Sequence, residues 1–300
     1  MHENSNFCMT KNILITGAKG QLGREIQPIG TLYPNFRFIP TDIEELDLTD
    51  KARVANFITA QAIDYIINCA AYTAVDKAED EVELCYKINR DTVNNLAEAA
   101  AGKAKIIHIS TDYVFDGRAT LPYRETDPTC PQSVYGKSKL AGEEALLAAC
   151  PESMIIRTAW LYSVYGNNFV KTMLRLGKER PALNVVSDQQ GTPTYAADLA
   201  QALLFLIVHA EKTGDFPAGI YHYSNAGITT WFDFTKKILQ LAGITSCTVH
   251  PVTTGQYPVK AARPRYSVLD KTKIRETFGI TVPEWEESLL RCIRLLNFKS

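Results

Sequence analysis

A phenol and an ammonium one helical turn apart are the chain's clearest chemical pairing. Tyr135 and Lys139 stand in Val134-Tyr-Gly-Lys-Ser-Lys-Leu-Ala-Gly-Glu143, a spacing that puts both side chains on one face of a helix. Reducing a ketone with a nicotinamide takes a hydride to carbon and a proton to oxygen. A tyrosine, with a pKa of about 10, is a poor proton donor at neutral pH unless its phenolate is stabilised. A lysine at i+4 can supply that stabilisation by its charge and can also bind the nicotinamide ribose. Thr111, directly after the apolar run Lys105-Ile-Ile-His-Ile-Ser110, adds a hydroxyl able to hydrogen-bond the carbonyl oxygen and hold it against the phenol.

The opening of the chain supplies a place for a dinucleotide. Gly17, Gly20 and Gly23 follow the apolar run Asn12-Ile-Leu-Ile-Thr16 and precede a helical pattern from Gln21. A glycine loop between a buried strand and a helix presents free N–H groups and the positive helix end to a pyrophosphate. Asp42 stands 19 residues after Gly23 at the end of a second strand, where a carboxylate accepts from an adenosine ribose and favours NAD. Lys19 pulls the other way, because its ammonium could pair with a 2′-phosphate, so the cofactor is left as NADPH or NADH. Asp47 and Leu48 either flank the adenine or, through Asp47, cap the next helix. Ala70 and Ala71 follow a third strand; small side chains there either let a cofactor lie against the backbone or serve tight helix–sheet packing.

These groups need a scaffold, and the pattern of the first half supplies one. Strands at 12–16, 36–41, 63–68, 105–110 and 154–157 alternate with helices from Gln21, over 51–61, over 80–102 and over 133–149, which predicts parallel βαβ units. Beyond Trp160 helices are expected at 169–177, 196–210 and 230–242, the last capped by Thr229 or Thr230, with a strand at 219–223. The fold class expected is α/β: a doubly wound parallel sheet with a smaller C-terminal lobe. Residues 1–159 form the dinucleotide-binding part, with 1–11 a flexible tail, and 160–300 the second lobe, with segments returning to the main sheet. With 300 residues, 46% of them hydrophobic and 22% charged, and a net charge of −1, the chain has no electrostatic footprint for nucleic acid. Its seven cysteines (8, 69, 85, 130, 150, 247 and 292) show neither CxxC pairs nor metal-ligand spacing. They fit reduced thiols of a cytoplasmic protein. No membrane span and no signal peptide are expected.

Several further segments carry a resemblance. Thr73-Ala-Val-Asp-Lys-Ala-Glu79, Ser110-Thr-Asp-Tyr-Val-Phe-Asp-Gly117, Arg157-Thr-Ala-Trp160, Gly166-Asn-Asn-Phe169, Lys171-Thr-Met-Leu174, Asp188-Gln-Gln-Gly-Thr-Pro-Thr194 and Ala261-Ala-Arg-Pro-Arg-Tyr-Ser267 join the Tyr135/Lys139 segment. Together they resemble the dTDP-4-dehydrorhamnose reductase family of extended short-chain dehydrogenases/reductases, from Lys11 nearly to the C-terminus. The resemblance implies reduction of the C4 ketone of dTDP-4-dehydro-6-deoxy-L-mannose to dTDP-L-rhamnose, with Tyr135 as proton donor and Lys139 and Thr111 beside it. It implies a dTDP-sugar contacted by Thr111, Asp112, Trp160 and Arg263, and leaves room for a homodimer. Trp160 would pack on the sugar ring, or else is a core tryptophan. Arg263 would hold the diphosphate, or else makes a surface ion pair. Gly20, Gln21, Leu22, Asp42, Asp47, Leu48, Ala70, Ala71 and Tyr72 match cofactor-contacting positions. Glu25 matches a position where some relatives bind magnesium, but one glutamate makes no metal site and none is expected. Pro28 departs from the pattern and is expected to kink the first helix. Two alternatives share much of the pattern: a sugar-nucleotide epimerase or dehydratase, and a non-catalytic regulatory subunit like the β type of methionine adenosyltransferase.

Overall fold

The computed structural model describes residues 10–257 and 259–297. Its strands are β1 (Lys11–Thr16), β2 (Phe36–Pro40), β3 (Tyr65–Asn68), β4 (Lys105–Thr111), β5 (Met154–Thr158), β6 (Leu161–Tyr162), β7 (Ala182–Val186), β8 (Gln190–Gly191), β9 (Thr194–Tyr195), β10 (Gly219–His222), β11 (Thr229–Thr230) and β12 (Thr248–Val252). Its α-helices are α1 (Gln21–Gly30), α2 (Lys51–Ala60), α3 (Val75–Ala78), α4 (Val82–Tyr86), α5 (Thr92–Ala100), α6 (Val134–Ala149), α7 (Phe169–Glu179), α8 (Ala196–Thr213), α9 (Trp231–Leu241), α10 (Thr272–Phe278) and α11 (Trp285–Asn297). Six strands pair in the order β10-β5-β4-β3-β1-β2, every pair parallel. Parallel strands are covered on both faces, which is why β1, β3 and β5 read as nearly unbroken apolar runs. One face packs Ile13, Ile15, Ile67 and Ile156 against Leu22 and Ile26 of α1 and Leu199, Leu203 and Ile207 of α8. The other packs Leu14, Ile66, Ile106 and Ile155 against Val54 and Ile58 of α2, Val93 and Leu96 of α5 and Leu146 of α6.

The strand order reverses between β1 and β3, because β2 lies on one side of β1 and β3 on the other. Connections there leave in opposite directions and open a crevice at the carboxyl ends of the strands, the usual ligand position in such sheets. A second core gathers Tyr162, Val170, Met173, Leu183, Val185, Phe234, Trp285 and Leu289 around the parallel pair β7–β12 and helices α7, α9 and α11.

Several expectations change. The helix expected over 80–102 is α4, a π-helical turn over Lys87–Asp91, and α5. The π turn brings the Asn89 carbonyl against α6, where a Cβ on Gly142 would lie 2.1 Å from that oxygen; only glycine admits the contact. Pro28 is the eighth of ten residues in α1, so its missing N–H falls in the last turn and the helix runs on to Gly30. Asp50, not Asp47, caps α2 by accepting from the Arg53 N–H at 3.0 Å. Lys11, assigned to the tail, opens β1, and the tail's residues 1–9 lie outside the described residues. Beyond Leu241, β12, α10 and α11 went unread, as did the two-residue strands β6, β8, β9 and β11, which are too short to show a period.

One ion pair ties α6 to the sheet. Arg157 of β5 meets Glu143 of α6 through Nε–Oε1 at 3.0 Å and Nη2–Oε2 at 2.6 Å, and the Ser110 hydroxyl donates to Glu143 Oε1 at 2.5 Å. Both side chains are almost fully buried. Removing one partner of such a pair strands the other charge in a low dielectric. Glu143→Ala is therefore expected to destabilise the protein by about 3–5 kcal/mol. The check is the urea midpoint; an unchanged midpoint contradicts the assignment.

Candidate active site

Thr16 ends β1, and the chain turns at Gly17 with φ +61°, a left-handed conformation that favours glycine. A Cβ on Gly17 would lie 2.8 Å from the Ala70 backbone, and one on Gly23 would lie 2.6 Å from the Gly17 carbonyl. The loop thus packs against the chain leaving β3 on one side and the first turn of α1 on the other. Gly20 is the N-cap of α1, with no side chain capping the free N–H groups of that helix.

Beside this loop lies a cavity of about 400 Å³ lined by Gly17, Gly20, Asp42, Asp47, Leu48, Ala70 and Ala71 of the expected cofactor set. Thr16, Thr41, Ile43, Leu46, Cys69, Ile88 and Thr92 complete much of the wall and were not singled out from sequence. Asp42 follows β2 and accepts from the Lys19 N–H at 2.9 Å, which fixes its carboxylate at the mouth of the loop. The Lys19 ammonium is held by Glu44 at 2.7 Å and stands 3.9 Å from Glu45. Asp47 accepts from the Thr49 N–H, which holds its carboxyl below the usual range.

Three other expected residues sit differently. Leu22 is buried in the core beneath α1. The Gln21 carboxamide accepts from Asn168 at 2.9 Å. The Tyr72 phenol donates to Glu81 at 2.5 Å, while its backbone is pinned by Asn89, which accepts from the Tyr72 N–H at 2.8 Å and donates to its carbonyl at 3.1 Å. Asn89 also donates to the Ser138 hydroxyl at 2.9 Å, so the π turn fastens the segment after β3 to α6. Glu25 accepts from the Ser163 hydroxyl at 2.5 Å, and among the described residues no three His, Cys, Asp or Glu gather as metal ligands.

Ser133 caps α6 by accepting from the Gly136 N–H at 3.1 Å. The cap sets the helix phase that turns Tyr135 and Lys139 to the sheet. The Tyr135 ring meets Tyr113 edge-on at 5.4 Å. Burial pushes its phenol well above the usual value, and a hydrogen bond with Thr111 pulls it the other way. Thr111 is buried at the end of β4 and donates to Asp112 at 3.1 Å. Burial raises the Asp112 carboxyl to about 6.

The Lys139 Nζ donates to the Ile109 carbonyl at 2.7 Å and lies 3.3 Å from His108 Nε2. Burial lowers its pKa to about 8, with Glu143 pulling it up. Behind it, His108 Nδ1 is 3.0 Å from Asn68 Nδ2, and Asn68 Oδ1 accepts from the Thr16 hydroxyl at 2.6 Å. Thr16 pairs with Asn68 and Asn68 with His108 in adjacent strands, so one polar row crosses three strands from the glycine loop to the lysine. Sequence reading passed over Asn68 and His108. Their signal was polarity inside the apolar runs of β3 and β4.

A second cavity of about 370 Å³ is lined by Asp76, Tyr113, Trp160, Phe169, Asn184, Gln189, Trp231 and Arg263 among others. Trp160 adopts φ +47° and stacks on Trp231 at 3.5 Å, so one indole face is already covered. A Cβ on Gly191 would lie 2.5 Å from the Trp160 ring, so glycine there makes room for it. Arg263 donates to Asp76 at 2.6 Å and to the Tyr113 hydroxyl at 3.1 Å. Of the two readings offered from sequence, diphosphate holding and an ion pair, the ion pair is formed, and it lies at the wall of this cavity.

Comparison with known proteins agrees with this geometry. The family model described as RmlD substrate binding domain matches residues 10–298. The dTDP-4-dehydrorhamnose reductase of Aggregatibacter actinomycetemcomitans is 44% identical over 287 residues, covering 92% of this chain and 96% of its own. A solved dTDP-4-dehydrorhamnose reductase from Clostridium acetobutylicum is 48% identical with a TM-score of 0.90, covering 95% of this chain and 99% of that one. The Bacillus anthracis reductase, solved in complex with NADP, is 42% identical with a TM-score of 0.90, covering 96% and 100%. Matched along nearly its whole length in both sequence and structure, the chain belongs to the dTDP-4-dehydrorhamnose reductase family.

Proposed function

We infer that this protein uses NADPH or NADH to reduce the C4 ketone of dTDP-4-dehydro-6-deoxy-L-mannose, giving dTDP-L-rhamnose. The observation that carries the reading is one buried face of α6 that sets Tyr135 beside Thr111 and Lys139, in a chain matched end to end by reductases of this name. The residues fit a dinucleotide. Gly17 and Gly23 let the loop close against the chain leaving β3 and the start of α1 beside the cavity, the N-terminus of α1 is free for a pyrophosphate, and Asp42 can accept from a ribose hydroxyl.

When bound, the nicotinamide supplies the hydride that adds to C4. Tyr135 then donates its proton to the C4 oxygen, and Thr111 orients that oxygen by hydrogen bonding. Burial keeps the phenol protonated before reaction but makes it a weaker acid, so proton transfer depends on groups that stabilise the phenolate, of which the Thr111 hydrogen bond is one. Lys139 stands ready to balance the phenolate so formed. In this reading residues 1–159 hold the cofactor, and the lobe from 160 to 300 holds the dTDP-sugar. Trp160, with its stacked partner Trp231, offers an apolar wall to the sugar, and Arg263 offers its guanidinium to the diphosphate in competition with Asp76. Asp112 is followed by Tyr113, whose ring packs against Tyr135, so Thr111 lacks the neighbouring acid pair that elimination at C5 and C6 would need. We further propose a cytoplasmic location for the enzyme.

Tyr135→Phe removes the acid and keeps the ring. It is expected to lower kcat by roughly 100- to 10,000-fold while NADPH still binds; near-normal turnover would remove Tyr135 from this role. Lys19 can turn from Glu44 to a 2′-phosphate. Lys19→Ala is therefore expected to raise KM for NADPH about fivefold, the modest effect of losing an exposed ion pair, and to leave KM for NADH near its starting value. Equal effects on both cofactors would contradict it.

A further inference from the structure

The polar row behind Lys139 does more than fill space. Thr16, Asn68, His108 and Lys139 are each at most 2% exposed, so every hydrogen in the row must meet a lone pair or leave a buried polar group unsatisfied. A backbone N–H, whose role as donor cannot change, anchors the row. The Ala70 N–H donates to Asn68 Oδ1 at 3.2 Å, and the Thr16 hydroxyl donates to the same oxygen at 2.6 Å. Asn68 therefore turns its NH2 to His108, at 3.0 Å from Nδ1. An amide NH2 only donates, so Nδ1 must accept, and a neutral imidazole that accepts at Nδ1 carries its hydrogen on Nε2. Burial keeps His108 neutral by holding its pKa well below the usual value.

We propose that Asn68 and His108 are positioning residues of the reaction: the Asn68 amide fixes the His108 tautomer so that an N–H, not a lone pair, faces the Lys139 amine. This proposal rests on the function given above. Lysine as an ammonium has only donors, and Nε2–H opposite it is a donor facing a donor; as a neutral amine it accepts from Nε2–H and still donates to the Ile109 carbonyl. The row therefore favours the amine and holds the ammonium close to deprotonation. Other groups act on the same lysine. On its own helix Tyr135 lies one turn before it, and Glu143, one turn after it, favours the ammonium but is committed to Arg157. Cys69 after β3 and Cys85 of α4 would favour the ammonium as thiolates, but burial raises both thiols. His108 of β4 faces the amine at 3.3 Å, and burial of the amine opposes the charge. A lysine so held can pass a proton to the Tyr135 phenolate and regain one, instead of remaining a fixed charge.

The sign follows from the role. Reduction needs the ammonium beside the nascent phenolate, so kcat/KM falls on the alkaline side as Lys139 loses its proton. Asn68→Asp only accepts, so it draws hydrogen to Nδ1 and turns the Nε2 lone pair to the ammonium. Asn68→Leu removes the donor without adding charge and frees the same tautomer. Both are expected to move the alkaline limb of kcat/KM upward by about one pH unit. A shift in the Asp variant alone would mean only the field of a new carboxylate and would overturn the proposal, as would an unmoved limb in both. Wild-type turnover with the dTDP-sugar checks the underlying function separately. Should either variant fail to fold, nitrogen-15 imidazole shifts of the wild-type protein decide the matter, with His108→Gln identifying the signal. The proposal expects neutral His108 protonated at Nε2; a hydrogen on Nδ1, or an imidazolium, overturns it.

Discussion

Burying an amine is the constraint around which this structure is organised. Lys139 is 2% exposed, and an unsolvated ammonium or amine must find partners inside the protein. They come from β4, as the Ile109 carbonyl and His108, and His108 in turn depends on Asn68 of β3 and Thr16 of β1. Such a row can exist only if those strands are parallel and in register at their carboxyl ends, which the sheet order provides. The glycine loop leaves from the same edge, so the register that satisfies the lysine also places the dinucleotide cradle. Buried polar networks of this kind are costly if any member is unpaired and strongly orienting when all are paired.

The second fixture is the attachment of α6. Its face carries Tyr135 and Lys139, and three contacts set its position: the Ser133 cap, the Glu143–Arg157 pair, and the close approach of Gly142 to the π turn. That turn exists where sequence periodicity predicts an uninterrupted helix. The extra residue lets Asn89 reach both the backbone of Tyr72 and the Ser138 hydroxyl. A local break in helical geometry thus joins the segment under the cofactor to the helix bearing the acid, in keeping with the habit of π turns at functional sites.

The main sheet was legible because its strands are buried on both faces and its helices are amphipathic, so periodicity and punctuation agree. Residues named for their chemistry, among them Gly17, Asp42, Ala70, Thr111, Tyr135 and Lys139, fall along one edge of that sheet. The chain beyond Trp160 was less legible: β6, β8, β9 and β11 are two residues long, and a two-residue strand has no period to read. Leu22 and Tyr72 show a different limit, since one faces the core and the other gives its phenol to Glu81. The orientation of Lys139 shows a third. Spacing on a helix fixes which face a side chain shares, but the partner it chooses depends on the strands beneath, and His108 lies 31 residues upstream.

The account stands most directly on whether this chain consumes NADPH or NADH only in the presence of dTDP-4-dehydro-6-deoxy-L-mannose. That ketone can be generated in place from dTDP-glucose by a dehydratase and an epimerase, with loss of the reduced nicotinamide followed by absorbance and the product identified by NMR. The account predicts oxidation that requires every component and yields dTDP-L-rhamnose. Cofactor binding without oxidation, under conditions where the ketone is shown to be present, would contradict it.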